Sequence, residues 1–426
     1  MTVTQRPGRT RRHRSGGVLA AVALLAGAIA PAALISATSS VASADATHII
    51  NGDFPAGGPK IIDTGGIAPR SAFGGHVVHG IPNIDSIPNF SDHFNVKGLN
   101  GTGQVQNQWL DNFVGHLPQL GGTTTINAPI IPVSLNLLNP DGTTFQYVDA
   151  TQFTSKFVNS PNFQNSTYSS SSTPTQIQDA IQRSEFASTA KPDWHTMLAA
   201  DPKAGVVMNV PFGDWFIRHL NRCGCNLNEI DVTAFLNLFF NTIVDAINGG
   251  VITPQDISTF MFPDTYLFFN GDPAQCCVLG FHTYVFDDQA VPGKEVRWVI
   301  NYSSWISPNI FRGGVQDVTA NSHELGETFN DPFVVSDGIH GLTPWWQAPN
   351  GNCQNDMETG DVVEGLPNDV FPVTINGFTY HPQNEAMFPW FAFESPSPAR
   401  KGAYSFPDNT TLLGLSPGPL HPGCVP

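Results

Sequence analysis

Residues 317–332 read DVTANSHELGETFNDP, and this stretch decides our prediction of the fold. One set of its side chains recurs at i, i+4, i+7 and i+11, which is one face of a helix. The set is Val318, Ser322, Leu325 and Phe329. Asp317 can cap the start, and Pro332 ends the helix because the residue before a proline avoids the α region. The small, apolar face predicts a helix that packs on a sheet.

Another face of the predicted helix carries potential metal ligands. His323 and Glu327 are four residues apart, so both side chains can reach one cation. Glu324 follows the histidine as in H-E-x-x-H, where the outer residues hold zinc and the glutamate activates water. Zinc accepts a carboxylate in place of the second histidine. The pattern favours a zinc site with Glu324 as general base over a solvated face with an incidental His-Glu pair.

A mononuclear site needs further ligands, and the sequence offers several carboxylates. Asp331, one turn further along, can ligate the metal or orient His323 from behind. Glu358 and Asp361 follow in a glycine-containing turn, and either can complete the coordination shell. Calcium held by Asp356, Glu358 and Asp361 is a lesser alternative, because the spacing does not match an EF-hand loop.

Two histidines outside the helix need an interpretation of their own. His381 stands four residues before Glu385, and we expect it to be a catalytic residue, as a transition-state stabiliser, or a ligand. A surface histidine fits the same position equally well. His282 lies on an apolar strand, which favours a histidine packed in the core over a ligand.

Residues 1–44 have the pattern of a secretion signal. Arginines precede an apolar run that begins at Val18, and Ala42-Ser43-Ala44 is a small-residue cleavage site, which would start the mature chain at Asp45. A retained membrane anchor is the alternative, but the apolar run is short and rich in alanine. No second run is long enough to cross a bilayer, so we expect a secreted, extracellular protein without membrane contact once the signal is removed.

The charge balance is acidic. The chain has 19 Lys and Arg against 35 Asp and Glu, a net charge of −16. There is no basic stripe, which argues against a nucleic acid as partner. An acidic excess suits a protein that meets cations, but on charge alone solubility outside the cell is the better explanation.

The six cysteines favour disulfides, because an even number in an exported chain is typical of paired thiols. We expect Cys223 and Cys225 to pair with Cys276 and Cys277, and Cys353 to pair with Cys424. A four-cysteine zinc site is the alternative, but C-x-C with C-C is poor spacing for it.

Beyond the signal, the sequence predicts an α/β (α+β) chain in two regions. Residues 45–145 are rich in Gly, Pro and Asn with short apolar runs, which indicates a loop- and β-rich N-terminal region. Residues 146–426 form the domain with the candidate site. Its patterns predict helices at 173–190, at 228–248 and from 253, and strands at 204–210, 265–269, 279–286 and 296–302.

Several blocks together resemble one protein family. The block Ser322-His323-Glu324-Leu325-Gly326-Glu327, with Asp331-Pro332 after it, is similar to a stretch of the phosphate-induced, exordium-like secreted proteins of plants. It is more similar still to their microbial relatives. Blocks at residues 175–183, 276–282, 358–361 and 380–390 also resemble this family, so the resemblance covers about residues 146–410.

The resemblance implies an extracellular zincin-like metallopeptidase core over residues 146–426, built of a twisted sheet and an active-site helix. The zincin motif itself is H-E-x-x-H, and Glu327 departs from it. That departure leaves the metal and the turnover open.

Our leading hypothesis is a secreted, zincin-like, metal-dependent hydrolase with zinc as cofactor and a peptide or protein as substrate. The alternative is a non-catalytic extracellular binding protein of the cell wall or matrix, whose metal site is structural or vestigial. A third hypothesis is a carbohydrate-active protein that stacks sugars on Trp345, Trp346 and Trp390.

Overall fold

The computed structural model describes residues 48–54, 84–97, 105–168, 173–334, 346–354 and 357–415. The predicted secretion signal, Asp356 and Cys424 lie outside these ranges. The described residues form a mixed α/β fold in which sheet predominates. A search of their helices for one that is long and apolar enough to cross a bilayer finds none.

The strands are β1 (Ile49–Asn51), β2 (Ile84–Asp85), β3 (Asn89–Lys97), β4 (Val105–Val114), β5 (Thr123–Leu138), β6 (Thr144–Val148), β7 (His195–Pro202), β8 (Val206–Val210), β9 (Trp215–Leu220), β10 (Cys225–Asp231), β11 (Ile257–Pro263), β12 (Thr265–Phe269), β13 (Asp272–Val278), β14 (Gly280–Val291), β15 (Lys294–Trp305), β16 (Trp346–Gln347), β17 (Cys353–Gln354), β18 (Val373–Ile375), β19 (Phe378–Tyr380), β20 (Glu385–Ala386) and β21 (Ser405–Phe406). The helices are α1 (Thr154–Val158), α2 (Ile177–Glu185), α3 (Val232–Asn248), α4 (Thr319–Asn330) and α5 (Phe388–Phe391).

Eight strands form the main sheet. Its order is β14-β15-β11-β5-β6, with β2 beside β15 and both β7 and β8 beside β5. Strand β11 is parallel to β15 and β5, whereas β14 is antiparallel to β15. Strand β5 is long enough to pair with β7 through its first half and with β8 through its second half. The predicted region 45–145 therefore supplies a central strand of this sheet, and its predicted boundary falls inside β6.

Alternation along the strands divides the core into two sides, because successive side chains of a strand point to opposite faces of its sheet. On β11, Ile257 and Met261 pack with one group of apolar side chains, and Phe260 and Phe262 pack with another. The first group contains Leu325 and Phe329 of α4 together with Val318, the residue that precedes the helix. The second contains several residues of α3, among them Phe235, Phe239 and Ile243. The main sheet thus lies between α4 and α3.

This alternation places one histidine beside α4. On β14, Phe281 packs with the α3 side, whereas Tyr284 packs with the α4 side. His282 has the same parity as Tyr284, so its side chain points toward α4. Helix α4 is buried along its whole length, which is typical of a helix inside the core of a large domain.

A second sheet has the order β1-β9-β10-β12-β13. It corrects one predicted helix, because residues 225–231 form β10 and α3 begins only at Val232. Asp231 caps α3 by accepting from the main-chain N–H groups of Thr233 and Ala234. The helix predicted at 173–190 is confined to α2, and the residues after 253 form a turn before β11.

The disulfides differ from the predicted pairing. Cys223 is joined to Cys225, and Cys276 is joined to Cys277, so each pair is local. All four cysteines pack in one apolar group with Tyr266 and Phe268, which explains why the sequence could not discriminate between the partners. Cys353 begins β17, and its predicted partner Cys424 lies outside the described residues.

Candidate metal centre

Three elements bring buried ionisable side chains together. Helix α4 supplies His323, Glu324 and Glu327, strand β14 supplies His282, and the segment after β17 supplies Glu358 and Asp361. The exposed fraction of each residue is 8% or less. Charged groups are rarely buried to this degree unless they are paired or bind a metal.

His323 faces two carboxylates through one ring nitrogen. Its Nε2 lies 3.0 Å from Glu327 Oε1 and 3.4 Å from Asp361 Oδ1. Its Nδ1 lies 3.0 Å from Gln383 Oε1, and Gln383 Nε2 donates to the Gly360 carbonyl at 2.7 Å. The Gly360 carbonyl can only accept, so the amide nitrogen of Gln383 points to Gly360 and its Oε1 points to His323. Nδ1 of His323 must therefore carry a proton and donate it to Gln383 Oε1. Nε2 of the neutral ring is then free to ligate a cation.

His282 has the same arrangement with its ring nitrogens exchanged. Its Nε2 lies 3.1 Å from the main-chain carbonyl of Asp331, which can only accept, so this nitrogen carries the proton. Its Nδ1 faces carboxylate oxygens of Glu327 at 3.4 Å, Glu358 at 3.7 Å and Glu324 at 3.8 Å. Nδ1 of the neutral ring is therefore also aimed at a group of potential oxygen ligands.

Glu327 lies between the two histidines. Its Oε1 faces His323 and accepts from the main-chain N–H groups of Gly360 and Asp361, whereas its Oε2 faces His282. Two groups could accordingly hold a metal ion: His323, Glu327 and Asp361, and His282, Glu324 and Glu327. Within each group the ligand atoms lie within 4.8 Å of one another.

Glycines make the space that these side chains occupy. A Cβ on Gly360 would lie 2.7 Å from Cγ of His323, and a Cβ on Gly280 would lie 2.6 Å from Cγ of Glu324. On α4 itself, a Cβ on Gly326 would lie 2.7 Å from Cδ of Glu385. None of the three needs a left-handed backbone, so the close approach of a side chain is the reason for glycine here.

The charges in the cluster are strongly coupled. Burial lowers the pKa of both histidines, but the surrounding carboxylates outweigh it and hold each pKa well above its ordinary value. Burial raises the pKa of Glu324 to about 7. Burial acts in the same direction on Glu327, yet His323 and His282 reverse it and lower the pKa of that carboxyl below its usual range. The fold thus offers cationic groups to buried carboxylates, and a metal cation can take the same place.

A narrow cleft reaches one side of the cluster. His323, Glu324 and Asp361 line it together with Gly280, Cys277 and Leu279. Glu327, Glu358 and His282 are not part of the cleft wall, so they lie behind its lining. The lining of the cleft thus combines apolar side chains with acidic ones.

Two predicted site residues have other contacts. Asp331 is buried at the end of α4 and holds His282 through its main-chain carbonyl; its carboxylate is in neither group. His381 Nδ1 lies 2.7 Å from Asp317 Oδ2, and its main-chain carbonyl accepts from Thr319 Oγ1. His381 thereby braces the start of α4 and does not line the cleft.

The sequence interpretation missed His282 as a possible ligand. Two signals could have found it: strand alternation puts it opposite Phe281, and the resemblance groups the 276–282 block with the helix block. Trp390, predicted as a sugar platform, is fully buried in an apolar core group. Trp345 and the side chain of Trp346 lie outside the described residues.

Comparison of the chain with protein-family models, with curated proteins and with solved structures gives no match. The chemistry of the site is therefore the basis for its function.

Proposed function

We propose that the protein is a secreted, zincin-like, metal-dependent hydrolase that cleaves peptide bonds. The observation that carries this proposal is the cleft, because its wall combines one set of metal ligands with a separate carboxylate. His323 and Asp361 belong to the ligand set with Glu327, and Glu324 lies beside them. The donor set of one imidazole and two carboxylates is one that zinc accepts.

Three residues would hold the metal, and Glu324 would transfer the proton. A zinc ion at His323, Glu327 and Asp361 would polarise the scissile carbonyl and lower the pKa of water. Glu324 lines the cleft beside the proposed ligands, so its carboxylate is placed to accept a proton from water and return it to the leaving amine. Gln383 and the N–H groups of Gly360 and Asp361 hold the ligands in place.

The resemblance to the exordium-like secreted proteins and the predicted signal support an extracellular setting for this activity. The acidic charge balance supports the absence of a nucleic-acid substrate. Peptides are proposed because a metal-bound site with an adjacent glutamate is the arrangement of peptidases.

The test is the rate at which the mature protein hydrolyses casein or a peptide library. The Glu324→Gln variant should lose activity by about 100-fold or more, because it cannot take the proton, while it retains its metal. Glu394→Gln, which changes a glutamate outside the cleft, is the matched control and should leave the rate unchanged. An unchanged rate in metal-loaded Glu324→Gln would rule out this mechanism.

A second candidate is a non-catalytic wall or matrix protein with a structural metal. The observation that favours it is that ligands from α4, from β14 and from the segment after β17 meet in one buried cluster, so a cation would join three elements. This candidate predicts no turnover on any peptide and a lower melting temperature after chelation. Turnover that Glu324→Gln abolishes would exclude it.

A further inference from the structure

We propose that the protein binds a second divalent cation behind the cleft, held by His282, Glu324 and Glu327, with Glu327 bridging the two ions. The proposal deepens the proposed function and rests on His323 and Asp361 holding the first ion. The second ion is of the class that accepts one imidazole and several carboxylates, such as zinc or manganese.

The orientation of His282 supports a second ion. Its Nε2 proton is committed to the Asp331 carbonyl at 3.1 Å, so the lone pair of the neutral ring lies at Nδ1. Nδ1 faces three carboxylate oxygens at 3.4, 3.7 and 3.8 Å, all longer than a good hydrogen bond. Ligand atoms about 2.0 Å from a tetrahedral zinc lie about 3.3 Å apart. The spacing is therefore close to that of neighbouring ligands around one ion.

Glu324 supplies the second argument. Its exposed fraction is 4%, and among the described residues its Oε2 accepts no hydrogen bond. This oxygen lies 3.8 Å from Nδ1 of His282, so it is aimed at the proposed second ion. Its other oxygen, Oε1, lies against Gly280 in the cleft wall. The two oxygens of Glu324 thus face different sides, Oε2 toward His282 and Oε1 toward the cleft wall.

Glu327 supplies the third argument, because its two oxygens face different histidines. Oε1 lies 3.0 Å from His323 Nε2, and Oε2 lies 3.4 Å from His282 Nδ1. A carboxylate that offers one oxygen to each ion holds them about 3.5–4 Å apart, the separation found in two-metal hydrolases. The outer ion would face the cleft, because its ligands His323 and Asp361 line it, whereas His282 does not.

The experiment is a count of metal ions per chain. Mature protein freed of metal with a chelator is dialysed against zinc and then against metal-free buffer, and bound zinc is measured by elemental analysis. The wild type should hold about two ions, and His282→Ala and His323→Ala should each hold about one. His219→Ala, which removes a partly buried histidine on β9 that is hydrogen-bonded to Asn226, is the control and should hold as many ions as the wild type.

A wild type that holds only one ion overturns the inference, whichever variant loses that ion. One ion in the wild type that is lost in His323→Ala and kept in His282→Ala overturns the inference and leaves the proposed function standing. One ion that is lost in both variants shows a single shared site and also overturns it. No zinc in the wild type overturns both proposals. If His282→Ala does not fold, as judged by circular dichroism, zinc titration of the metal-free wild type still gives the stoichiometry.

Discussion

The replacement of Gly360 by alanine tests the site through geometry alone. The new Cβ would lie 2.7 Å from Cγ of His323, whereas carbon atoms in contact are about 3.5–4.0 Å apart. The imidazole must therefore move by about 1 Å or the segment that carries Gly360 must shift. The backbone at Gly360 is not left-handed, so alanine adds no conformational strain of its own.

Such a shift is large compared with the tolerance of a metal site. Metal–ligand distances vary by about 0.2 Å, so a ring displaced by about 1 Å no longer ligates well. We expect the zinc affinity of Gly360→Ala to fall by about 10- to 100-fold, as when a group that orients a ligand is lost. The unfolding free energy of the metal-free protein should fall by about 1–3 kcal/mol, the usual cost of overpacking.

The assay is competition for zinc with a chromophoric chelator, together with urea unfolding of the metal-free protein. Gly414→Ala is the matched control, because Gly414 has open space around its Cβ position and no left-handed backbone. A folded Gly360→Ala protein whose zinc affinity stays within about twofold of the wild type would refute the placement of His323 as a ligand.

Three further predictions address the surroundings of the site. Gly326→Ala places a Cβ 2.7 Å from Cδ of Glu385 and should lower the unfolding free energy in urea by about 1–3 kcal/mol; no loss would contradict the packing. Burial raises the pKa of Glu185 to about 8, so the folded chain keeps a proton that the unfolded chain loses. The unfolding free energy should then fall between about pH 5 and pH 8 by up to about 1.4 kcal/mol per unit, and Glu185→Gln should flatten this slope; an unchanged slope would exclude the group as its source. Asp231→Ala removes the cap of α3 and should cost about 0.5–2 kcal/mol in thermal or urea unfolding, whereas an unchanged stability would show that the cap contributes nothing.

The helix of the site was predictable because its signals are local. The spacing of Val318, Leu325 and Phe329 defined its buried face, and Pro332 marked its end, in agreement with α4 at Thr319–Asn330. Asp317 is not the N-cap of α4, because Val318 occupies that position. The carboxylate of Asp317 accepts a hydrogen bond from the main-chain N–H of Val318. The pairing of His323 with Glu327 followed from the helical repeat.

The remaining ligands depend on contacts between distant parts of the chain. Asp361 and Glu358 could be named as carboxylates in a turn, but only the fold brings Asp361 to His323 of α4 and Glu358 to His282 of β14. The parity of His282 along β14 was visible in the sequence, whereas the side of the sheet that α4 covers was not. The same reason applies to β5, whose place at the centre of the main sheet depends on pairing with β7 and β11.

Both candidate functions depend on the same buried cluster of carboxylates and histidines. Carboxylates and histidines from α4, β14 and the segment after β17 are buried together, and burial of so many charges is costly unless opposite charge compensates them. Metal ions between these groups would provide that compensation and would also fasten the three elements to one another. Stability and metal content should therefore change together whichever function holds. Glu324 distinguishes the two, because it lines the cleft and its carboxylate is not a ligand of the outer ion.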